Sequence, residues 1–111
     1  LETAVSLSLD RLVYRDVLSL SKLVTLLSSN PAKILNVPGG RLAPGDAADI
    51  TILSPDTTIE VAADQFRSKA RNTPFDGWCL RGAVAATVVN GRGVYTNDSV
   101  AEADTIAWSL E

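Results

Sequence analysis

The sequence predicts an α+β architecture with its helices ahead of its strands, and three observations carry that prediction. Apolar residues recur at helical spacing twice near the start, at Val5, Leu9, Leu12 and Val13 and again at Leu20, Leu23, Val24 and Leu27. A cluster of Pro38, Gly39, Gly40, Pro44 and Gly45 then rules out any regular element. Beyond it, Asn90-Gly91 stands between two β-prone runs, where a two-residue hairpin turn needs residues that accept positive φ.

Each element has its own local reason. The first helix is expected over residues 3–14 as an amphipathic segment. Ser19 is placed to cap a second helix through its hydroxyl. In "SSNPAKILN", Asn30 is expected to cap a separate third helix running to Leu35, with Pro31 at the first helical position, where a missing N–H costs nothing. After the Pro/Gly cluster, "ADITILS" sets Ile50 and Ile52 against Thr51 and Leu53 and predicts a strand, and "TTIEV" predicts a second, shorter one. "VAADQFRSKA" is expected to hold a helical turn capped near Asp64, before Pro74 stops it. Within "WCLRGAVAATVVNGRGVYT", Gly82 and Gly93 mark a bulge or a close approach. The acidic tail from Asn97 reads as a short helix or a disordered end, and the final Leu110-Glu111 as a cloning remnant.

Composition bounds the function classes. At 111 residues the chain is the size of one ordinary domain, 46% hydrophobic and 21% charged, with a net charge of −3. No basic excess argues for nucleic acid, and no apolar run approaches the roughly 20 residues of a membrane helix. The start, "LETAVSLSLDR", has neither an initiator Met nor a secretory signal, which suggests an excised piece. Cys79 is the one cysteine, so an internal disulfide is excluded, a reducing cytoplasmic setting is expected, and the thiol is expected to fill core. The chain has no histidine, which excludes a Ser-His-Asp or Cys-His triad, a His general base and a His-containing zinc site within it.

The remaining candidate chemistry has plain competitors. Pro38-Gly39-Gly40 follows a helix instead of opening one, so a turn is expected rather than a phosphate cradle. Asp46 and Asp49 lie in a turn that gives no contrast of environment to an acid and a base. Arg67, Lys69 and Arg71 would share one face of an extended segment, where they could clamp an anion or tie two parts of a protein together; the structural role is expected. Asn72 and Pro74 form a corner beside them, and Phe75 and Trp78, which could make an aromatic ligand platform, are expected in the core.

The order of motifs resembles the C-terminal end of the dihydroorotases, within the amidohydrolase superfamily of cyclic-amide hydrolases. The matching pieces are "LETAVSL", "LSLSKLVTLLSSNPAKILNV", "GRLAPGDAADITILSPD", "FRSKARNTPFDGWCLRG" and "VAATVVNGRGVY", which together cover nearly all of residues 1–95. The resemblance implies a larger, zinc-dependent (β/α)₈ barrel with a small β-sandwich. This chain would hold the last barrel helices (residues 1–37), the C-terminal sandwich strands (38–96) with a return segment toward the barrel (62–77), and a tail (97–111). A TIM barrel takes roughly 250 residues, so the barrel itself does not fit here. The family's zinc ligands and substrate-gripping groups lie ahead of the matched part, so no catalytic, substrate-binding or metal-binding residue is assigned, and the chain alone is expected to be inactive and without zinc. Arg67, Lys69, Arg71, Asn72, Pro74, Phe75 and Trp78 are the structural candidates between domains. The implied partners are the rest of the parent chain and, through it, a small cyclic-amide substrate. The competing readings are a self-associating non-catalytic module forming a homodimer, and the tail of a dihydroorotase-like pseudoenzyme, an allantoinase or a dihydropyrimidinase.

Overall fold

Helix α1 (Ala4–Ser8) widens without a break into a π-helical turn (Leu9–Val13), so the first expected helix forms as one element. Just ahead of the widening, the Ser8 hydroxyl donates to the Ala4 carbonyl at 2.7 Å, the back-bond by which Ser and Thr perturb a helix. Asp16, at φ 56°, ends the run. Val17 N–H reaches the Leu12 carbonyl at 2.9 Å and Asp16 N–H the Val13 carbonyl at 3.1 Å, the paired bonds of a Schellman stop. The coordinates are a computed structural model that describes residues 1–101; the remainder of the tail, including Leu110-Glu111, lies outside the described residues.

Ser19 caps the next helix as expected, its hydroxyl accepting from Lys22 N–H at 3.2 Å. The separate third helix starting at an Asn30 cap is corrected. α2 (Leu20–Val24), a second π-helical turn (Thr25–Ser29) and α3 (Asn30–Leu35) run on in sequence, and Asn30 itself is helical at φ −68° and ψ −48°. Pro31 offers no N–H to the ladder, and its ring crowds the carbonyl four residues back. The widened turn, in which Asn30 N–H bonds the Thr25 carbonyl five residues back, absorbs that conflict, so the proline continues the helix instead of restarting it. A second Schellman stop closes the run at Asn36 (φ 51°), with Val37 N–H on the Ala32 carbonyl at 3.0 Å. The Pro/Gly cluster then folds back onto this helix, the Ser29 hydroxyl donating to the Gly40 carbonyl at 2.7 Å.

Three antiparallel strands follow in the order β1 (Ile50–Glu60), β2 (Cys79–Val89) and β3 (Arg92–Thr96). The two strands expected in "ADITILS" and "TTIEV" are one. Its register slips between Ser54 and Thr58, which leaves the stretch around Pro55 out of the ladder, where a residue without an N–H does least harm. The β2–β3 hairpin turns at Asn90 (φ 49°) and Gly91 (φ 76°), the positive φ values that these two residue types accept most readily. Asp49 Oδ1 accepts from Asn90 N–H at 2.7 Å, so the start of β1 holds the turn. A register shift opposite Thr87 and Val88 puts the bulge beside Gly93.

Leu9, Leu23, Val61, Leu80, Ala83 and Val100 are the buried apolar residues among those described. Leu9 and Leu80 are fully buried. Gly82, at φ 106°, lies so close to α1 that a Cβ there would stand 2.7 Å from the Leu9 Cβ and Cδ1, so the expected close approach is real. α4 (Asp98–Ala101) carries the buried Val100, and Asn97 Oδ1 accepts from Ser99 N–H at its start. The expectation that Cys79 fills core is corrected: the thiol is exposed, because strand alternation turns Leu80 and Gly82 inward and Cys79 and Arg81 outward.

Candidate functional site

The segment that the sequence singles out is a closed loop. Val61 N–H bonds the Trp78 carbonyl at 2.9 Å and Gly77 N–H the Val61 carbonyl at 2.8 Å, so the ends of residues 62–77 are tied to each other. Inside it, the expected helical turn forms over Ala63–Gln65. Its cap is not Asp64 but Asp76, whose Oδ1 accepts from Ala63 N–H at 2.8 Å. A carboxylate cannot reach its own turn's leading amide from the second helical position, whereas one returning from across the loop can.

The three cations do not form one clamp. Arg71 Nη1 donates to the Ala63 carbonyl at 2.9 Å and the Asp64 carbonyl at 2.5 Å, closing the other end of the same turn. The Arg67 guanidinium lies 5.2 Å from the centroid of the Tyr95 ring on β3, a cation–π contact. Lys69 is exposed and has no ion-pair partner among the described residues. Asn72 lies in irregular backbone, and Pro74 opens the turn that carries Phe75 and Asp76 back to the strand. Phe75 and Trp78 meet edge to face, with centroids 5.2 Å apart, and Arg11 stacks on the outer ring at 5.1 Å. The core placement expected of Trp78 is corrected, since 41% of it is exposed. Its backbone closes the base of the loop, while its ring is met by Phe75 on one edge and by the Arg11 guanidinium from the π-helical turn, and the rest faces outward.

Glu2 fastens the loop to the helical half. Its carboxylate accepts from the backbone N–H groups of Arg67 at 3.2 Å and Ser68 at 2.8 Å. These bonds, that of Ser68 foremost, hold the Glu2 carboxyl below its ordinary 4.5. A depressed acid of this kind contributes stability above its unfolded value and loses it as pH falls through the folded one.

Helix and sheet are further joined by groups the sequence does not advertise. Asp10 Oδ1 accepts from Arg81 N–H at 2.9 Å. The Tyr14 hydroxyl donates to the Pro55 carbonyl, and Arg81 lies 4.1 Å over the Tyr14 ring while pairing with Asp56 at 2.6 Å. Burial first, then the Asp56 charge, raises the Tyr14 phenol above 10.0, so its contribution is intact below that pH and is lost as pH rises through the shifted value. Asp46 pairs instead with Arg41, at 2.8 Å, so the two turn carboxylates serve separate partners and form no acid–base couple. Among the described residues, no group of three His, Cys, Asp or Glu side chains could hold a metal.

Arg71→Ala is expected to lower stability by about 0.5–1.5 kcal/mol, the worth of exposed charge-assisted bonds. A melting comparison of the two proteins checks this, and an unchanged midpoint would show that Arg71 does not secure the turn.

The Amidohydrolase family profile matches residues 1–94. The chain is 54% identical over 98 residues to a dihydroorotase of Syntrophus aciditrophicus, covering 88% of this chain and 23% of that protein. It is 50% identical over 95 residues to a dihydroorotase of Geobacter metallireducens, covering 86% and 22%. Among solved structures, the L-hydantoinase (dihydropyrimidinase) from Arthrobacter aurescens superposes with a TM-score of 0.76 at 36% identity, over 82% of this chain and 21% of that one. The dihydropyrimidinase from Brevibacillus agri shares the fold at a TM-score of 0.77 and 23% identity, over 84% of this chain and 21% of that one. The chain thus spans less than a quarter of the length of these relatives. It belongs to the amidohydrolase family.

Proposed function

We propose that this chain is the C-terminal structural portion of a dihydroorotase, the cyclic amidohydrolase that interconverts N-carbamoyl-aspartate and dihydroorotate in pyrimidine synthesis. The observation that carries the reading is identity of 54% to a dihydroorotase across nearly the whole chain, at 23% of that protein's length. In this reading residues 1–37 are the last helices of a barrel that precedes Leu1, 38–96 are sandwich strands, and 62–77 return toward the barrel. The helical rod supports it. Only Leu23 of the face Leu20, Leu23, Val24 and Leu27 is buried, and Ile34 and Leu35 farther along are exposed as well. An apolar ridge of this length calls for a covering surface, which the remaining length of the parent would supply.

The zinc of such an enzyme finds no fit here, because no histidine and no ligand cluster is present among the described residues. In this reading metal, substrate and proton transfer belong to the remainder, and this chain's contribution is to close and support it. The parent is expected to be cytoplasmic, and among the described residues no helix is long and apolar enough to cross a membrane.

The test is the mass and activity of the protein in its source. A species several times heavier than 11.7 kDa that opens dihydroorotate and loses activity to a chelator is expected, with the 111-residue chain alone inactive. A heavy species that turns over hydantoins or dihydropyrimidines but not dihydroorotate would move the assignment to the dihydropyrimidinases, whose fold the chain shares. A species at 11.7 kDa sedimenting as a dimer would replace the parent by a second copy of this chain.

A further inference from the structure

The loop over residues 62–77 is built as a unit. Val61 with Gly77 and Trp78 closes its base, and Asp76 and Arg71 cap the two ends of its one helical turn. A loop packed by its own groups shifts as a body, so its position depends on what fastens its far side. There the Glu2 carboxylate commits one oxygen to Arg67 N–H and the other to Ser68 N–H, across 65 and 66 residues of sequence. Bonds to an ionised acceptor are shorter and stronger than neutral ones, and two successive amides on two oxygens fix direction as well as distance.

We infer that Glu2 is a positioning residue: it latches the loop onto the segment that leads into α1 and so sets how the loop is presented to the rest of the parent enzyme. The inference rests on the reading that this chain is part of a longer dihydroorotase. Among the described residues the Glu2 carboxylate bonds the two loop amides, so the effect asked of it travels through placement. Play of about 1 Å at a distant support can lower a rate by up to about 10²-fold, and releasing two exposed hydrogen bonds permits part of that.

The experiment uses the full-length protein with Glu2→Ala and Glu2→Gln. In Glu2→Ala, hydrogen exchange at the Arg67 and Ser68 amides should speed up by about tenfold, and kcat/KM for dihydroorotate should fall by about three- to tenfold. The melting temperature should stay within about 2 °C, because the site is exposed. Glu2→Gln keeps one carbonyl acceptor and should restore protection at one amide and part of the lost kcat/KM. Unchanged exchange at both amides would remove the latch. Faster exchange with wild-type kcat/KM would overturn the positioning role and leave a purely structural bond. A wild-type protein without turnover on dihydroorotate would refute the functional reading instead, and the exchange rates would still decide the latch.

Discussion

Gly82→Ala is expected to destabilise the protein by about 2–5 kcal/mol, a large share of the total for a domain of this size. Two costs add. At φ 106° an L side chain is strained, worth about 1–2 kcal/mol by itself. The new Cβ would also meet the Leu9 Cβ and Cδ1 at 2.7 Å, and overpacking a closed core costs about 1–3 kcal/mol more. Gly45→Ala separates the two, since Gly45 has φ 91° but nothing within 4 Å of the added atom. It should show the strain without the crowding. Gly82→Ala should cost less in a Leu9→Ala background than in the wild type, but not nothing, because Leu9→Ala removes Cδ1 and Cγ and leaves the Cβ in the way. Urea midpoints of Gly82→Ala, Gly45→Ala, Leu9→Ala and the Gly82→Ala/Leu9→Ala double variant decide the matter. A Gly82→Ala midpoint equal to that of Gly45→Ala would show that α1 does not press on β2 here.

Why this contact matters follows from the division of labour in the chain. Leu9 in the Gly82 notch, Asp10 on the Arg81 amide and Tyr14 on the Pro55 carbonyl lie within about one turn of the same helix, and all meet β2 or the bulge of β1. They hold the helical half on the sheet. The sequence makes the helices and the Asn90-Gly91 hairpin legible because both depend on local rules, apolar spacing in one case and positive φ in the other. It places the cap at Ser19 for the same reason. It misreads Asn30 and Pro31 because a start signal and a tolerated interior proline look alike until the π turn at Thr25–Ser29 is seen. It splits β1 because Pro55 reads as a break where the strand only bulges.

The candidate loop shows the same limit more sharply. Its composition marks it as unusual, yet the groups that fix it act over distance. Asp76 caps a turn 13 residues back, and Glu2 holds amides 65 and 66 residues away, where any backbone N–H would have served and no side chain advertises the match. The aromatic pair was legible as a pair but not as exposed, because exposure of Trp78 follows from where the loop's base closes. Resemblance reaches further than local pattern here, since whole motifs in order carry information about partners that periodicity does not.

Strand register supplies the second large effect. Leu80→Ala should cost about 2–5 kcal/mol, because the side chain is fully buried and the rigid helix above it cannot collapse into the space. Cys79→Ala, one residue earlier, should stay within about 0.5 kcal/mol. Successive side chains on a strand face opposite sides, so a slip of one residue would exchange these two outcomes completely. The thiol gives an independent reading of the same geometry. Being exposed, Cys79 should react with a maleimide in the native protein at a rate that denaturant raises only modestly, as peptide mapping by mass spectrometry would show. A thiol labelled only after unfolding, together with a harmless Leu80→Ala, would mean that β2 is paired one residue out of the register Ile59 with Leu80 and Glu60 with Cys79.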